Sequence, residues 1–315
     1  MRARHRFSTG SGSVLPAAGR KKQQAGGPAA RDPWAKVAAL WRADLADDDA
    51  WRYGYESDAW GYATLRWLLV DQAEDPGPVP APALDADLAG AARLRSATGR
   101  AADLARRAGP GQARQALVGQ LSTDAGGLFD GRRGAPPARE LLAAAAEATL
   151  LAGCLTYACW PLAALAQAYL IQALALAHAC GDRQLGAATL CAMSQQAVFC
   201  GHLNEARTLV NAAIEGSRDV AHPVLSVHLR LLTARDHVQR NELISCVRAL
   251  KAAAVEFDRA GPGHRPRWTR WFTEADPLLF ALVLAAAYLA AGLPAAAYDT
   301  QLVAQLLAGR VQADR

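Results

Sequence analysis

One recurring spacing constrains this chain more than any other feature. Within residues 186–220, Leu190, Ser194, Ala197, Gly201, Ala206, Val210 and Ala213 set a frame of small and apolar positions around a central glycine. The frame returns 40 residues upstream at Leu150, Cys154, Tyr157, Ala166, Leu170 and Ala173, with Pro161 in the glycine's place. It returns 40 residues downstream at Ala234, His237, Cys246, Leu250 and Ala253. A copy displaced by a further 51 residues falls on Ala285, Tyr288, Gly292, Ala297 and Ala304, the added length lying around Gly261, Pro262 and Gly263. Such recurrence at a fixed period is the signature of a repeat architecture.

Each copy reads as a helix hairpin. Small side chains at Ser194 and Ala206 let two antiparallel helices approach closely, Gly201 supplies the turn, and Val210 and Ala213 face the next pair. A hairpin of this kind has an apolar face that it cannot bury alone, so neighbours stack on it. Composition agrees, because Ala and Leu dominate while Val, Ile and Thr are sparse, a bias toward helix over strand. The expected class is all-α, a right-handed α-solenoid of antiparallel helix hairpins. Its 315 residues need not divide into two domains, since repeat arrays grow by addition.

The frame resembles the tetratricopeptide repeat, with small residues early in both helices and glycine at the turn, although its period exceeds the ~34 residues usual for that motif. Four stretches carry a closer likeness: residues 58–69 (Asp58, Trp60, Tyr62 and Trp67 among them), residues 166–174 with Gly181 and Asp182 beyond, residues 193–197, and residues 271–275. These resemble the tetratricopeptide sensor region of actinobacterial, Streptomyces-type, transcriptional regulators over roughly residues 32–307. The likeness implies a tetratricopeptide-like superhelix that senses a partner. In such regulators a helix-turn-helix DNA-binding domain commonly precedes this region, and no stretch here reads as one.

Taken in order, residues 1–31 read as a disordered basic leader, with Arg2, Arg4, Arg6, Arg20, Lys21, Lys22 and Arg31 and no acid. The alternative is a nucleic-acid-binding arm making phosphate contacts through Arg2, Arg4, Arg6, Arg20, Lys21 and Lys22. Residues 32–74 read as a Trp-rich helical cap in which Trp34 with Trp41, and Trp60 with Trp67, share a face as anchoring core. Residues 75–83 read as a Pro-rich linker, and residues 84–137 as one or more helical hairpins, with helices near 84–108 and 112–128. Residues 138–315 hold the tetratricopeptide-like repeats. Residues 141–160 are apolar enough to cross a bilayer, yet Glu147 and the repeat frame favour a helix buried between neighbours. Arg265, Arg267, Trp268, Arg270 and Trp271 interleave bases with aromatics, and packing ahead of an N-cap at Thr273 explains them more simply than single-stranded nucleic acid.

The net charge of +5 divides into +7 over residues 1–31 and −2 over the remainder, so the expected folded body lacks the basic footprint of a duplex-binding domain. Cys154, Cys159, Cys180, Cys191, Cys200 and Cys246 form no C-x-x-C pair and read as thiols in a reducing cytoplasm. His178 with Cys180 and Cys200 with His202 offer zinc-type ligands, but an intervening helix separates the two pairs by roughly 27 Å at ~1.5 Å per residue. No metal or cofactor is expected. No nucleophile elbow, phosphate-binding loop or paired carboxylates on an apolar face stands out, so the reading is not an enzyme.

The expected working surface is the groove lined by the first helix of each hairpin. The frame places Leu151, Leu155, Cys191, Gln195, Phe199, His228, Arg235, Gln239, Leu282 and Leu289 there, with Cys191, Gln195, Phe199, His228, Arg235 and Gln239 as the binding set. Amide, imidazole and guanidinium groups among apolar neighbours suit a peptide, whose carboxylate would meet Arg235. The function expected is a regulatory or scaffold protein binding a protein or peptide partner, with homodimerisation through the terminal repeat as a further expectation. The alternative is a transcriptional regulator contacting DNA through the basic arm or a partner subunit.

Overall fold

Runs of Ala and Leu broken by short turns fold here into helices, and all regular structure among the described residues is helical. The computed structural model describes residues 33–45, 55–69, 81–129, 137–159, 162–260 and 266–269. In chain order the elements are α1 (Pro33–Leu45), α2 (Ser57–Leu69), α3 (Ala81–Ala108), α4 (Pro110–Phe129), α5 (Arg139–Tyr157), α6 (Ala163–Ala179), α7 (Arg183–Phe199), α8 (Leu203–Ser217), α9 (Pro223–Gln239) and α10 (Leu243–Ala260). The basic arm and the fourth copy of the frame, including Leu282 and Leu289, lie outside the described residues.

Helices pack in sequence: α3 on α4, α5 on α6, α7 on α8 and α9 on α10, each pair also touching the next. The first helices form one row through the contacts of α3 with α5, α5 with α7 and α7 with α9. Helices α6, α8 and α10 begin at residues 163, 203 and 243, so the 40-residue spacing of the sequence is the spacing of the fold.

The turns repeat as faithfully as the helices. At the end of α7, Gly201 adopts φ +83°, its N–H reaches the Val198 carbonyl at 3.0 Å, and the His202 N–H reaches the Ala197 carbonyl at 2.8 Å. That pair of bonds is a Schellman cap, which satisfies the last carbonyls of a helix. Gly181 (φ +72°) closes α6 by the same two bonds, and Asn241 (φ +57°) closes α9. The frame thus needed a residue tolerant of left-handed backbone at 241, and asparagine fills it.

The main core runs through α1–α9, while a smaller cluster of Val227, Leu231, Ala234, Cys246, Ala249, Leu250 and Ala253 seals α9 against α10. Helix α5 is long and apolar enough to cross a membrane, yet 78% of that window is buried inside the fold. It is enclosed by α3, α4, α6 and α7, which explains a helix apolar on every side.

The Trp-rich segment does pack as core: Trp41, Trp60 and Trp67 are fully buried, and Trp34 packs, partly buried, against the main core. Its helices lie along the second helices, α1 on α4 and α6, α2 on α6 and α8. Trp67 fits against Gly186 of α7 and Gly216 of α8, where an added methyl group would overlap the indole. Glu56, just ahead of α2, is held by a reciprocal pair of bonds: its N–H donates to Gln167 Oε1 at 3.1 Å and its carbonyl accepts from Gln167 Nε2 at 2.6 Å. Helix α3 begins at Ala81, before the expected 84, because Pro82 is tolerated in a first turn whose N–H groups have no helical acceptor. Trp268 is buried in the main core, as packing rather than nucleic-acid stacking requires.

Candidate functional site

Gln195 and Arg235 occupy the same place in successive hairpins, each the thirteenth residue of a 17-residue first helix. Tyr157 and Phe199 are the last residues of α5 and α7. Their rings lie with centroids 6.4 Å apart, tilted by 48°. Three successive first helices therefore bring a phenol, an amide, a phenyl ring and a guanidinium to one end of the row.

The polar contacts run across the helices. The Tyr157 hydroxyl donates to Gln195 Oε1 over a long 3.5 Å, and Gln195 Nε2 lies 3.1 Å from His228 Nε2 on α9. An amide N–H can donate only to an unprotonated ring nitrogen, so this contact selects the Nδ1–H tautomer of His228. Gln195 is thereby oriented from both sides, its oxygen toward Tyr157 and its nitrogen toward His228.

Arg235 is the chemically distinctive member. It is half-buried and makes no hydrogen bond or ion pair with any described residue. Burial pulls its pKa below the ordinary arginine value, while Tyr157, Cys191 and Asp236 oppose that fall. Asp236 is the only carboxylate among these, and its Oδ2 is already taken by Arg240, at 3.0 Å from NH2 and 3.1 Å from Nε. Burial likewise raises the Tyr157 pKa, with the Cys154 thiol adding to the rise and Arg235 opposing it. The phenol stays a neutral donor.

Not every residue of the expected groove is exposed to a ligand. Cys191 is 0% exposed and His228 3%. Leu151 and Leu155 are buried as well. Their places in the binding set are corrected accordingly: Cys191 packs in the core and His228 orients Gln195. Gln195 and Arg235 are half-buried, Phe199 is 53% exposed, and Gln239 is exposed at the end of α9. Tyr157 belongs to the site although the frame marked it only as a packing position; its place at a helix end, level with Phe199 in the next hairpin, was the available signal.

His202 stacks on Tyr55 with centroids 4.6 Å apart, and all six cysteines are free thiols. Burial pushes Cys154 and Cys180 up to about 12, which makes both poor nucleophiles. Comparison with known proteins adds no relative: no family model, curated protein or solved structure matches this chain.

Proposed function

We propose that this chain is a regulatory or scaffold protein whose hairpins stack as a right-handed, tetratricopeptide-like solenoid and hold a protein or peptide partner along the first helices. One observation carries the reading: Tyr157, Gln195, Phe199 and Arg235 converge from α5, α7 and α9, combining exposed aromatic surface with oriented donors and acceptors. An extended segment lying across a row of parallel helices meets such groups one hairpin at a time, which is how repeat proteins use their long surfaces. The likeness of residues 58–69 and 193–197 to sensor regions of actinobacterial regulators supports a signalling role over a catalytic one.

The test uses the full chain with a photo-crosslinking residue at position 199, mixed with native cell extract, and peptide mass spectrometry of the products. Cross-links from this position to a discrete partner, lost when Gln195→Ala and Tyr157→Ala are combined in a folded protein, are the expected result. A partner whose contacts with the chain all map to the second helices would overturn it.

A further inference from the structure

We propose that the outward face of α2 is a docking surface for a second copy of this chain, the two α2 helices packing antiparallel about a two-fold axis near Tyr62 and Leu65. The surface is separate from the aromatic end of the first-helix row, since α7 meets α2 at its first turn, through Arg183 and Gly186, and carries Phe199 as its last residue.

Helix α2 is apolar on two sides. Trp60 and Trp67 are buried against the hairpins on one of them. On the other, Asp58, Tyr62, Leu65 and Leu69 follow one another at spacings of four, three and four residues, the seam of a coiled coil. Tyr62 is 75% exposed, Leu65 55% and Leu69 77%, and Asp58, Gly61 and Arg66, in that seam or at its edge, are exposed as well. An apolar strip rimmed by polar groups has the form of a protein–protein contact. Gly61 leaves room for one: no atom lies within 4 Å of where its side chain would begin, so a second helix can come close there.

The charges select the occupant. Asp58 and Arg66 make no hydrogen bond or ion pair with any described residue. Separated by roughly 12 Å along one helix at ~1.5 Å per residue, they do not meet each other either. A partner carrying one sign of charge gains nothing from a face with one acid and one base, whereas the same face reversed matches both. The helix runs Ser57–Leu69, so its middle residue, Ala63, lies between Tyr62 and Leu65. A two-fold axis there overlaps the whole helix and sets Tyr62 and Leu65 against the partner's Leu65 and Tyr62. It also brings Asp58 within a turn of the partner's Arg66, inside the reach of an arginine side chain, and opposes the two helix dipoles favourably. A single pair of short helices falls below the ~1,600 Å² of a standard interface, so the dimer is a weak one, with a dissociation constant in the micromolar range.

Analytical ultracentrifugation of the full-length protein over a dilution series tests the surface, with circular dichroism of every variant to establish folding. A monomer–dimer equilibrium is expected, and Leu65→Glu, which places a charge in the seam, abolishes it. Asp58→Arg and Arg66→Asp each set two like-charge pairs across the axis and weaken dimerisation at least about fivefold. Mixed in equal amounts, these two variants pair with each other about as tightly as the parent pairs with itself, because one copy then carries two bases and the other two acids. The double variant, Asp58→Arg with Arg66→Asp, likewise recovers the homodimer. If Leu65→Glu fails to fold, the charge exchange alone decides. A photo-crosslinking residue at position 62 joins two copies within residues 57–69. A chain that stays monomeric at the highest concentration overturns the proposal, as does a dimer indifferent to Leu65→Glu, such as one formed through the terminal repeat. Charge variants whose losses are restored neither by mixing nor by the double exchange overturn it as well.

Discussion

The guanidinium of Arg183 lies over the indole of Trp67, 4.9 Å from the ring centroid, and its NH1 donates a 2.6 Å hydrogen bond to the Trp67 carbonyl. Arg183 opens α7 and Trp67 lies in the last turn of α2, so one side chain joins segments 116 residues apart. The carbonyl it meets is among those a helix end leaves without an internal partner, and the cation rests on the ring face where its attraction is greatest.

Arg183→Ala therefore loosens α2 from the hairpins. The expected cost is about 1–3 kcal/mol, a charge-assisted hydrogen bond together with a partly desolvated cation–π contact. Hydrogen exchange should quicken in residues 57–69 and leave α9 and α10 unchanged. Uniform quickening across all helices would show that α2 is no separable element.

The three Schellman turns make a graded comparison. Gly201→Ala forces a side chain into left-handed backbone and should lower stability by about 1–2 kcal/mol. Asn241→Gly keeps the turn and should stay within about 0.5 kcal/mol of the parent, while Asn241→Ala should behave like the alanine variant of Gly201. Denaturant midpoints of the three proteins decide it, and an Asn241→Ala protein as stable as the parent would remove the turn from the account.

His178 gives a pH dependence with a definite sign. Its ring is buried with Nδ1 unbonded, and burial first, then Arg66 and Arg183, lower its pKa from the ordinary 6.5. A lowered folded value means that the native state resists the proton more than the unfolded chain does. The stability His178 contributes is present above pH 6.5 and is lost as pH falls through the lowered folded value. The fall in unfolding free energy between neutral and acidic pH should be shallower in His178→Leu than in the parent, and parallel profiles would contradict the assignment.

Much of this was legible in the sequence because the repeat frame reports on backbone and packing together. Gly201 announces its turn, and the seven-residue spacing of Trp60 and Trp67 marks one buried helix face. What those tryptophans pack against was not legible: Gly186 and Gly216 look like ordinary helix glycines until α2 is laid across α7 and α8. In the candidate cluster, the frame places Gln195 and Arg235 at equivalent positions of successive first helices. Cys191 and His228 did not fit an open groove because helical periodicity assigns a face, whereas depth along that face depends on the neighbouring helix. Asn241 escaped notice since the frame was sought in small residues, and left-handed backbone admits asparagine as well.

The Asp44 carboxylate offers the sharpest stability experiment, because four helices meet at it. Arg114 of α4 donates from NH2 to Oδ1 at 2.5 Å and from Nε to Thr156 Oγ1 of α5 at 3.0 Å, while the Tyr169 hydroxyl of α6 donates to Oδ2 at 2.6 Å. Burial and the adjacent carboxylate hold the Tyr169 phenol well above its ordinary pKa, so it remains a donor. Asp44 and Arg114 are only 5% and 14% exposed, and removing one partner strands the other's charge. Arg114→Ala should therefore cost about 3–5 kcal/mol. Tyr169→Phe removes one bond to a charged group and should cost about 1.5–3 kcal/mol. Replacing both charges together, as Asp44→Leu with Arg114→Met, should recover most of the loss, since desolvation of the pair largely cancels its attraction. Chemical denaturation of the singles and the double measures the coupling directly. A double variant as unstable as the sum of its singles would mean that the pair acts through packing volume and not through charge.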